Sequence, residues 1–184
     1  DVAGHGIPAS LLMAVFRSSF VHHLRHSGDI SVTIGYLNRL LAETTEANLY
    51  VTSFTCKLDT ASGDLEYINA GHPPPLVVRG SATLLLDSGG MAVGMFSDCE
   101  YPLARFRLRQ GDILVFYTDG VIEAANEKGE EYSRERLAAA VAARRSLPAA
   151  GLQAALIEDL KIFCRRGEFA DDVTLMIVKY LPQC

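Results

Sequence analysis

A chain of 184 residues, 49% of them hydrophobic, can bury a core without disulfide bonds or a structural metal. Its formal net charge of −5 argues against a nucleic-acid-binding surface, which normally carries a basic stripe. No apolar run approaches the ~20 residues that a membrane-spanning helix needs. We therefore expect a globular protein with no nucleic-acid or membrane partner.

The four cysteines show neither a CxxC pair nor histidine partners at the spacing of a zinc site: Cys56, Cys99, Cys164 and Cys184. They are typical of reduced, mostly buried thiols in a cytoplasmic protein. No signal peptide is visible, and the chain does not begin with methionine. We expect one domain over residues 1–184, truncated at its N-terminus and forming the C-terminal part of a larger regulatory protein.

The first part of the chain has helical periodicity. Apolar residues recur at every fourth position: Leu12, Phe16, Phe20 and Leu24. With Pro8 in the first turn, where its missing N–H costs nothing, this predicts a helix over residues 8–24. Apolar residues at positions 30, 34, 37 and 41 predict a second helix, and Ser31 is its candidate N-cap.

The middle of the chain changes to the alternating polarity of β-strands. Turn residues, prolines and glycines divide it into short segments, because proline cannot donate to a ladder and glycine permits tight turns. The pattern predicts two hairpins, from residues 50–58 with 65–69 and from residues 76–79 with 83–86. A loop over residues 87–98 follows.

The last part of the chain combines strands and helices. Arginines at every second position predict the solvent face of a strand: Arg105, Arg107 and Arg109. The continuous apolar run over residues 113–117 predicts a strand covered on both faces. Helices are predicted over residues 134–145 and 149–164, and a final buried strand over residues 173–180. This order of elements indicates an α+β fold rather than a βαβ arrangement.

Three aspartate segments lie at the ends of apolar runs or beside glycine: Asp1-Val2-Ala3-Gly4-His5-Gly6, Tyr117-Thr118-Asp119-Gly120 and Asp171-Asp172-Val173-Thr174. A carboxylate held at a strand end suits a metal ligand, and oxygen ligands favour Mg²⁺ or Mn²⁺ over zinc or copper. Two such ions about 3.5–4 Å apart can activate water for in-line attack on phosphorus. From the residues alone, the alternative that each aspartate only caps a turn or helix stays open.

Four motifs occur in order along the chain: Asp1-Val2-Ala3-Gly4-His5-Gly6 with Pro8-Ala9, Asn69-Ala70-Gly71-His72-Pro73, Phe116-Tyr117-Thr118-Asp119-Gly120-Val121-Ile122-Glu123-Ala124, and Asp171-Asp172-Val173-Thr174. In this order they resemble the bacterial stage-II-sporulation-E branch of the metal-dependent, protein phosphatase 2C-type (PPM) serine/threonine phosphatases. The resemblance covers essentially the whole chain. It implies an α/β/β/α sandwich, in which two antiparallel sheets are flanked by helices, with the N-terminal strands missing from this chain.

The resemblance also implies roles for individual residues. Asp1 would bridge two Mn²⁺ or Mg²⁺ ions, and the main-chain carbonyl of Val2 would help to hold one of them. Asp119 and Asp171 would bind the second ion, and Asp172 is a candidate to support them. The implied reaction is direct attack of activated water on phosphoserine or phosphothreonine, with no covalent phosphoenzyme and no organic cofactor.

The histidines allow more than one interpretation. His5 is the candidate catalytic side chain, but eukaryotic relatives place a proposed general-acid histidine two residues after the bridging aspartate, whereas His5 follows Asp1 by four. A structural role is therefore the favoured alternative. His72 is predicted to pack a turn, with a place in the substrate cleft as the alternative. Three histidines are predicted to form a solvated helix end: His22, His23 and His26.

The function implied by the resemblance is that of a phosphoprotein phosphatase. Its expected substrate is a phosphorylated regulatory protein of the anti-sigma-factor-antagonist type, and its expected partner in the same polypeptide is an upstream sensory or receiver domain. The alternative is a non-catalytic adaptor, a pseudophosphatase that uses the same fold to bind a transcription-regulatory partner. Retention of Asp1, Asp119 and Asp171 favours the enzyme.

Overall fold

The structure is a computed structural model that describes residues 1–44, 49–165, 169 and 171–181. Its helices and strands are, in chain order, α1 (Gly6–Ser27), α2 (Ile30–Thr44), β1 (Ser53–Leu58), β2 (Asp64–Ala70), β3 (Leu76–Arg79), β4 (Ala82–Leu85), β5 (Gly89–Gly90), β6 (Ala104–Arg107), β7 (Ile113–Tyr117), α3 (Asp119–Ile122), α4 (Arg134–Ala143), α5 (Ala149–Cys164) and β8 (Leu175–Lys179). The contacts divide the chain into two compact units. The first unit is Asp1–His72 with Asp87–Arg107, and the second is Pro73–Leu86 with Leu108–Cys184.

The first unit contains a sheet centred on β2. β1 pairs antiparallel with one edge of β2, so that Ser53 lies opposite Ala70 and Leu58 opposite Leu65. The other edge of β2 pairs antiparallel with β6 and, over two residues, parallel with β5. The apolar side chains of α1 and α2 pack with those of the sheet in one buried cluster, whose most buried members include Ile34, Leu37, Leu41, Ile68 and Val93.

The second unit contains a sheet in the order β4-β3-β7-β8, with every neighbouring pair antiparallel. One face is covered by α4 and α5, and their apolar residues join those of β3 and β7 in a second buried cluster: Leu137, Val141, Leu152, Leu156 and Leu160. Asp112, just before β7, is 1% exposed and pairs with Arg79 of β3 at 2.6 Å. The pair connects the end of β3 with the start of β7, because the guanidinium and the carboxylate are held in one geometry.

The predicted α+β class, with two sheets and packed helices, is confirmed. Both predicted hairpins form, and α5 has the predicted bounds. The predicted solvent-facing arginines are exposed, and two of them pair across the strands, Arg105 with Glu66 and Arg107 with Asp64. The sheets are antiparallel as expected except for the two-residue parallel ladder between β2 and β5. No helix among the described residues has the length and apolar character needed to cross a bilayer.

Two sequence-based expectations about burial were wrong. Cys56 is exposed, whereas Cys99 is half-buried and Cys164 is buried, and Cys184 lies outside the described residues. β8 was expected to be a buried strand, but it is the edge strand of its sheet, and Met176 is exposed. An apolar run does not show whether a strand lies at the edge or in the middle of its sheet. An edge strand can also be apolar when only one of its faces is covered.

The N-cap of α2 is Asp29 rather than the predicted Ser31. The Asp29 carboxylate accepts hydrogen bonds from the main-chain amides of Ser31 at 2.7 Å and Val32 at 3.1 Å. Ser31 already lies inside the first turn, where its own amide needs an acceptor. Asp29, two residues before Ser31, is therefore the residue that caps α2.

We expect Asp29→Ala to lower the free energy of unfolding by about 1 kcal/mol, because two amides of the first turn lose their acceptor. Chemical denaturation of the two proteins measures this difference. The matched control, Ser31→Ala, should stay within about 0.5 kcal/mol of the wild type. Equal losses in both variants would contradict the assignment of Asp29 as the cap.

Candidate metal centre

The Asp1 segment is held in the first unit by a short antiparallel ladder. The main-chain nitrogen of Asp1 donates to the Thr52 carbonyl at 2.7 Å, and the Thr52 amide donates to the Asp1 carbonyl at 2.8 Å. The Ala3 amide donates to the Tyr50 carbonyl at 2.9 Å. Val2 lies between the Asp1–Thr52 pair of bonds and the single Ala3–Tyr50 bond, opposite Val51. The backbone that carries the first motif aspartate is therefore fixed on both sides of Val2.

His5 lies where this ladder changes into α1. It is the residue just before the helix, has an extended backbone and makes no side-chain capping bond. Its imidazole is exposed. The helix start therefore does not use the ring of His5, and the sequence-based candidate role for this side chain stays a prediction.

Asp119 begins the short helix α3, directly after β7. Tyr117, the last residue of β7, is 1% exposed; its hydroxyl donates to the Pro74 carbonyl at 2.8 Å and accepts from the Arg134 side chain at 3.2 Å. Burial raises the pKa of this hydroxyl, so it keeps its proton and remains a donor. The end of β7 is anchored in this way, and Asp119 follows it by two residues.

The segment before β8 lies directly against the Asp119 segment. The Thr118 hydroxyl donates to the Asp172 carbonyl at 3.0 Å and accepts from the Thr174 amide at 3.0 Å. A Cβ placed on Gly120 would lie 2.4 Å from the Asp172 carbonyl oxygen, a distance that only glycine permits. The second unit therefore brings the motifs of Asp119 and Asp171 together through their backbones.

The three motif aspartates share one side-chain arrangement. In each, the carboxylate oxygen Oδ1 accepts a hydrogen bond from the amide of the next residue, at 2.9 Å for Asp1, 2.9 Å for Asp119 and 2.7 Å for Asp171. A carboxylate bonded to its neighbour's amide is held in one orientation. Asp1 and Asp171 are exposed and Asp119 is half-buried.

These residues fit a hard divalent cation by the chemistry of their donors. Carboxylate oxygens, together with a main-chain carbonyl such as that of Val2, are the ligands that Mg²⁺ and Mn²⁺ prefer. No group of three or more His, Cys, Asp or Glu side chains within the described ranges forms a complete metal site. One motif aspartate lies in the first unit, and two lie in the second.

Thr118 was not among the residues singled out from the sequence. Its hydroxyl connects two motifs that are 54 residues apart, through Asp172 and Thr174. The sequence signal was its place between a buried strand and a motif aspartate. Such a position is one where a short hydroxyl side chain can bond neighbouring backbone groups.

His72 has the structural role that the sequence favoured. The Asn69 side chain donates to the His72 carbonyl at 2.9 Å and accepts from the His72 amide at 2.8 Å. The imidazole Nδ1 lies 3.0 Å from the Thr52 hydroxyl. Asn69 is 5% exposed, so a buried side chain closes the turn of the Asn-Ala-Gly-His motif. Thr52, whose hydroxyl contacts the His72 ring, is also the residue whose main chain forms hydrogen bonds with Asp1.

The predicted solvated cluster of histidines is only partly correct. His26 bonds the His22 carbonyl at 2.8 Å near the exposed end of α1. His23 instead stacks on Tyr36, with ring centroids 4.4 Å apart, and its Nδ1 lies 3.3 Å from the Thr33 hydroxyl. His23 therefore connects α1 with α2, because it lies on the face of α1 that meets the neighbouring helix.

Comparison with known proteins identifies the family of the chain. The family model described as Stage II sporulation protein E (SpoIIE) matches residues 1–181. The chain is 29% identical over 132 residues to phosphoserine phosphatase RsbU of Bacillus subtilis (strain 168), covering 70% of this chain and 39% of RsbU. It is 32% identical over 128 residues to phosphoserine phosphatase RsbP of the same organism, covering 67% of this chain and 32% of RsbP. The chain thus spans about a third of the length of these relatives.

Solved structures show the same fold. The SiaA-PP2C domain of Pseudomonas aeruginosa superposes with a TM-score of 0.85 at 20% identity, covering 97% of this chain and 73% of that chain. The PP2C phosphatase domain of SpoIIE from Bacillus subtilis, solved with a fragment of its regulatory domain, gives a TM-score of 0.79 at 20% identity, covering 96% and 51%. Together with the family match over nearly the whole length, these likenesses confirm the resemblance seen in the motifs: the chain belongs to the SpoIIE family and has the fold of a PP2C-type phosphatase domain.

Proposed function

We propose that residues 1–184 form the catalytic domain of a divalent-metal-dependent phosphatase that removes phosphate from phosphoserine or phosphothreonine in a regulatory protein. The observation that carries the proposal is the match to the SpoIIE family over residues 1–181, with all three motif aspartates retained. Two relatives, RsbU and RsbP, are named phosphoserine phosphatases. A domain that had lost its catalytic role would have no need to keep three carboxylates in one arrangement.

The metal ligands in this proposal are Asp119 and Asp171 of the second unit, and Asp1 and the main-chain carbonyl of Val2 in the first. Assignment of the two sets to one pair of Mn²⁺ or Mg²⁺ ions rests on family membership. The catalytic domain of the phosphatase PstP, which superposes with a TM-score of 0.66 at 15% identity, is described as a complex with two manganese ions. Oxygen-only donors support the same class of metal here.

The residues of this chain would bind and orient the reactants. When bound, the ions supply an activated water and neutralise charge on the phosphoryl group. The hydrogen bonds from the neighbouring amides would orient the three proposed ligand carboxylates, and the Thr118 hydroxyl connects the backbone segments that carry Asp119 and Asp171. His5, exposed at the start of α1, is our candidate to protonate the leaving serine oxygen.

We further propose a substrate and a context. The substrate is a phosphorylated protein of the anti-sigma-factor-antagonist type, a class consistent with the relatives RsbU and RsbP. The chain would act in the cytoplasm, under control of a sensory or receiver domain in the same polypeptide. One solved relative, Rv1364c of Mycobacterium tuberculosis, contains an RsbU domain and an RsbW domain; it is 28% identical, with a TM-score of 0.77, over 96% of this chain and 49% of that chain.

The proposal is tested by phosphate release from a phosphoserine peptide incubated with the full-length protein. We expect release with Mn²⁺ or Mg²⁺, loss of release on adding a chelator, and recovery when the metal is restored. Circular dichroism before and after chelation controls for unfolding. A folded protein that releases no phosphate with either metal would instead support the adaptor function.

A further inference from the structure

Asn38 is a polar side chain at the centre of the buried face of α2. It is 1% exposed, and both ends of its amide are fully bonded. Its oxygen accepts from the Gly94 amide at 2.8 Å and from the Tyr101 hydroxyl at 2.9 Å. Its nitrogen donates to the carbonyls of Phe96 at 2.8 Å and Ser97 at 3.1 Å. Four bonds are the full capacity of an asparagine amide, so this side chain fastens the segment 94–101 to α2.

Gly94 is the point of closest approach between this segment and the helix. A Cβ on Gly94 would lie 2.9 Å from the Cβ of Leu41, one turn of α2 beyond Asn38, and the residue has a φ of +92°. Both facts require glycine. The Asn38 hydrogen bond to the Gly94 amide therefore fixes the position of the preceding residue, Val93, beside α2.

Both the main-chain amide and the main-chain carbonyl of Val93 form hydrogen bonds with Val51. The Val51 amide donates to the Val93 carbonyl at 2.9 Å, and the Val93 amide donates to the Val51 carbonyl at 2.7 Å. The neighbours of Val51 bond the Asp1–Ala3 segment, with Val2 opposite Val51. The short ladder thus has three members, residues 92–94, 50–52 and 1–3, and its first member is fastened by Asn38.

We propose that Asn38 is a positioning residue for the Asp1–Ala3 segment. By holding residues 94–101 on α2, it fixes the Val93–Val51–Val2 ladder, and with it the Asp1 carboxylate and the Val2 carbonyl. The consequence for metal binding rests on the proposed function, whereas the positioning itself does not. Burial raises the pKa of Tyr101, so its hydroxyl keeps its proton and donates to Asn38.

The first measurement is amide hydrogen exchange in the metal-free, full-length protein. In Asn38→Ala we expect the amides of Val51, Thr52 and Ala3 to exchange at least about tenfold faster than in the wild type, because the ladder loses its anchor. Amides of β7 in the second unit are the internal reference for global unfolding. Acceleration confined to residues 94–101 would overturn the proposal, because Asn38 would then anchor only that segment.

The matched control is Thr33→Val. Thr33 is a fully buried polar residue of the same helix, and its hydroxyl bonds the Asp29 carbonyl at 2.7 Å rather than the segment 94–101. It should leave the relative exchange rates of the ladder unchanged. The same selective acceleration in Thr33→Val would overturn the proposal. If Asn38→Ala does not fold, Tyr101→Phe removes one of the four bonds, and a selective acceleration of about threefold is expected.

The second measurement is the apparent affinity for Mn²⁺ in phosphate release. We expect Asn38→Ala to need about tenfold more Mn²⁺ for half-maximal activity, with kcat at saturating Mn²⁺ within about threefold of the wild type. An unchanged Mn²⁺ requirement would overturn the link between Asn38 and the metal ligands. A wild-type protein without metal-dependent activity would refute the proposed function, while the exchange experiment would still decide the positioning role.

Discussion

Asp119→Asn is expected to lower metal-dependent phosphate release by about a thousandfold or more, because the proposed metal site would lose one of its charged ligands. Asparagine has the size of aspartate, and its carbonyl oxygen can still accept the hydrogen bond that the Gly120 amide makes at 2.9 Å. The change therefore removes charge while leaving the start of α3 intact. Initial rates of phosphate release from a phosphoserine peptide over a range of Mn²⁺ concentrations measure the effect.

The matched control for this variant is Asp98→Asn. Asp98 is an exposed aspartate of the first unit that belongs to none of the four motifs, and the same change of charge there should leave the rate within about twofold of the wild type. The melting temperature of Asp119→Asn should stay close to that of the wild type. Equal activity in wild type and Asp119→Asn would refute the assignment of this aspartate as a ligand.

Gly120→Ala is expected to lower kcat/KM by about a hundredfold, because the added Cβ must push the Asp171–Asp172 segment away from Asp119. The Cβ would lie 2.4 Å from the Asp172 carbonyl oxygen and 3.5 Å from the Asp171 carbonyl carbon. Both contacts are with backbone, which cannot rotate away as a side chain can. The melting temperature should also fall, since the second unit loses the close approach of two segments.

Gly151→Ala is the control for the same substitution in the same unit. Gly151 lies in α5, and its added Cβ would meet neighbouring side chains only at 3.8 and 3.9 Å, which is ordinary van der Waals contact. This variant should keep its activity and become more stable by up to about 1 kcal/mol, because alanine favours the helix. If Gly120→Ala behaves like Gly151→Ala, the approach of the two segments does not matter for catalysis.

The sequence predicted the elements whose signals are local. The four-residue spacing of Leu12 and Phe16 indicated α1, and the apolar run of β7 indicated a central strand, because these periods reflect which face is buried. The motif aspartates could be identified in the same way, since a carboxylate after an apolar strand is visible in the chain itself. The residues that contact each motif aspartate in the folded chain could not be identified in this way.

The connections that hold the motifs depend on distant residues. The bond from Thr118 to Asp172 spans 54 residues, and the partner of Val51 in its isolated bridge, Val2, lies outside every predicted strand. The cap of α2 was predicted wrongly because Asp29 and Ser31 both suit that role, and only the turn geometry decides between them. Likewise, the parallel pairing of Gly89 with Asn69 occupies two residues within a segment expected to be a loop.

The bonds between each motif aspartate and the next amide have a thermodynamic consequence for ion binding. A free carboxylate side chain loses rotamer entropy when it is immobilised on a metal, and that loss weakens the affinity. Here each of the three carboxylates already accepts a hydrogen bond from the next amide in the folded chain, at 2.9, 2.9 and 2.7 Å. Part of the rotamer entropy of these proposed ligands is therefore lost during folding rather than upon ion binding. Oriented ligands favour an ion that tolerates their angles, so the same hydrogen bonds would influence which divalent metal the proposed site selects.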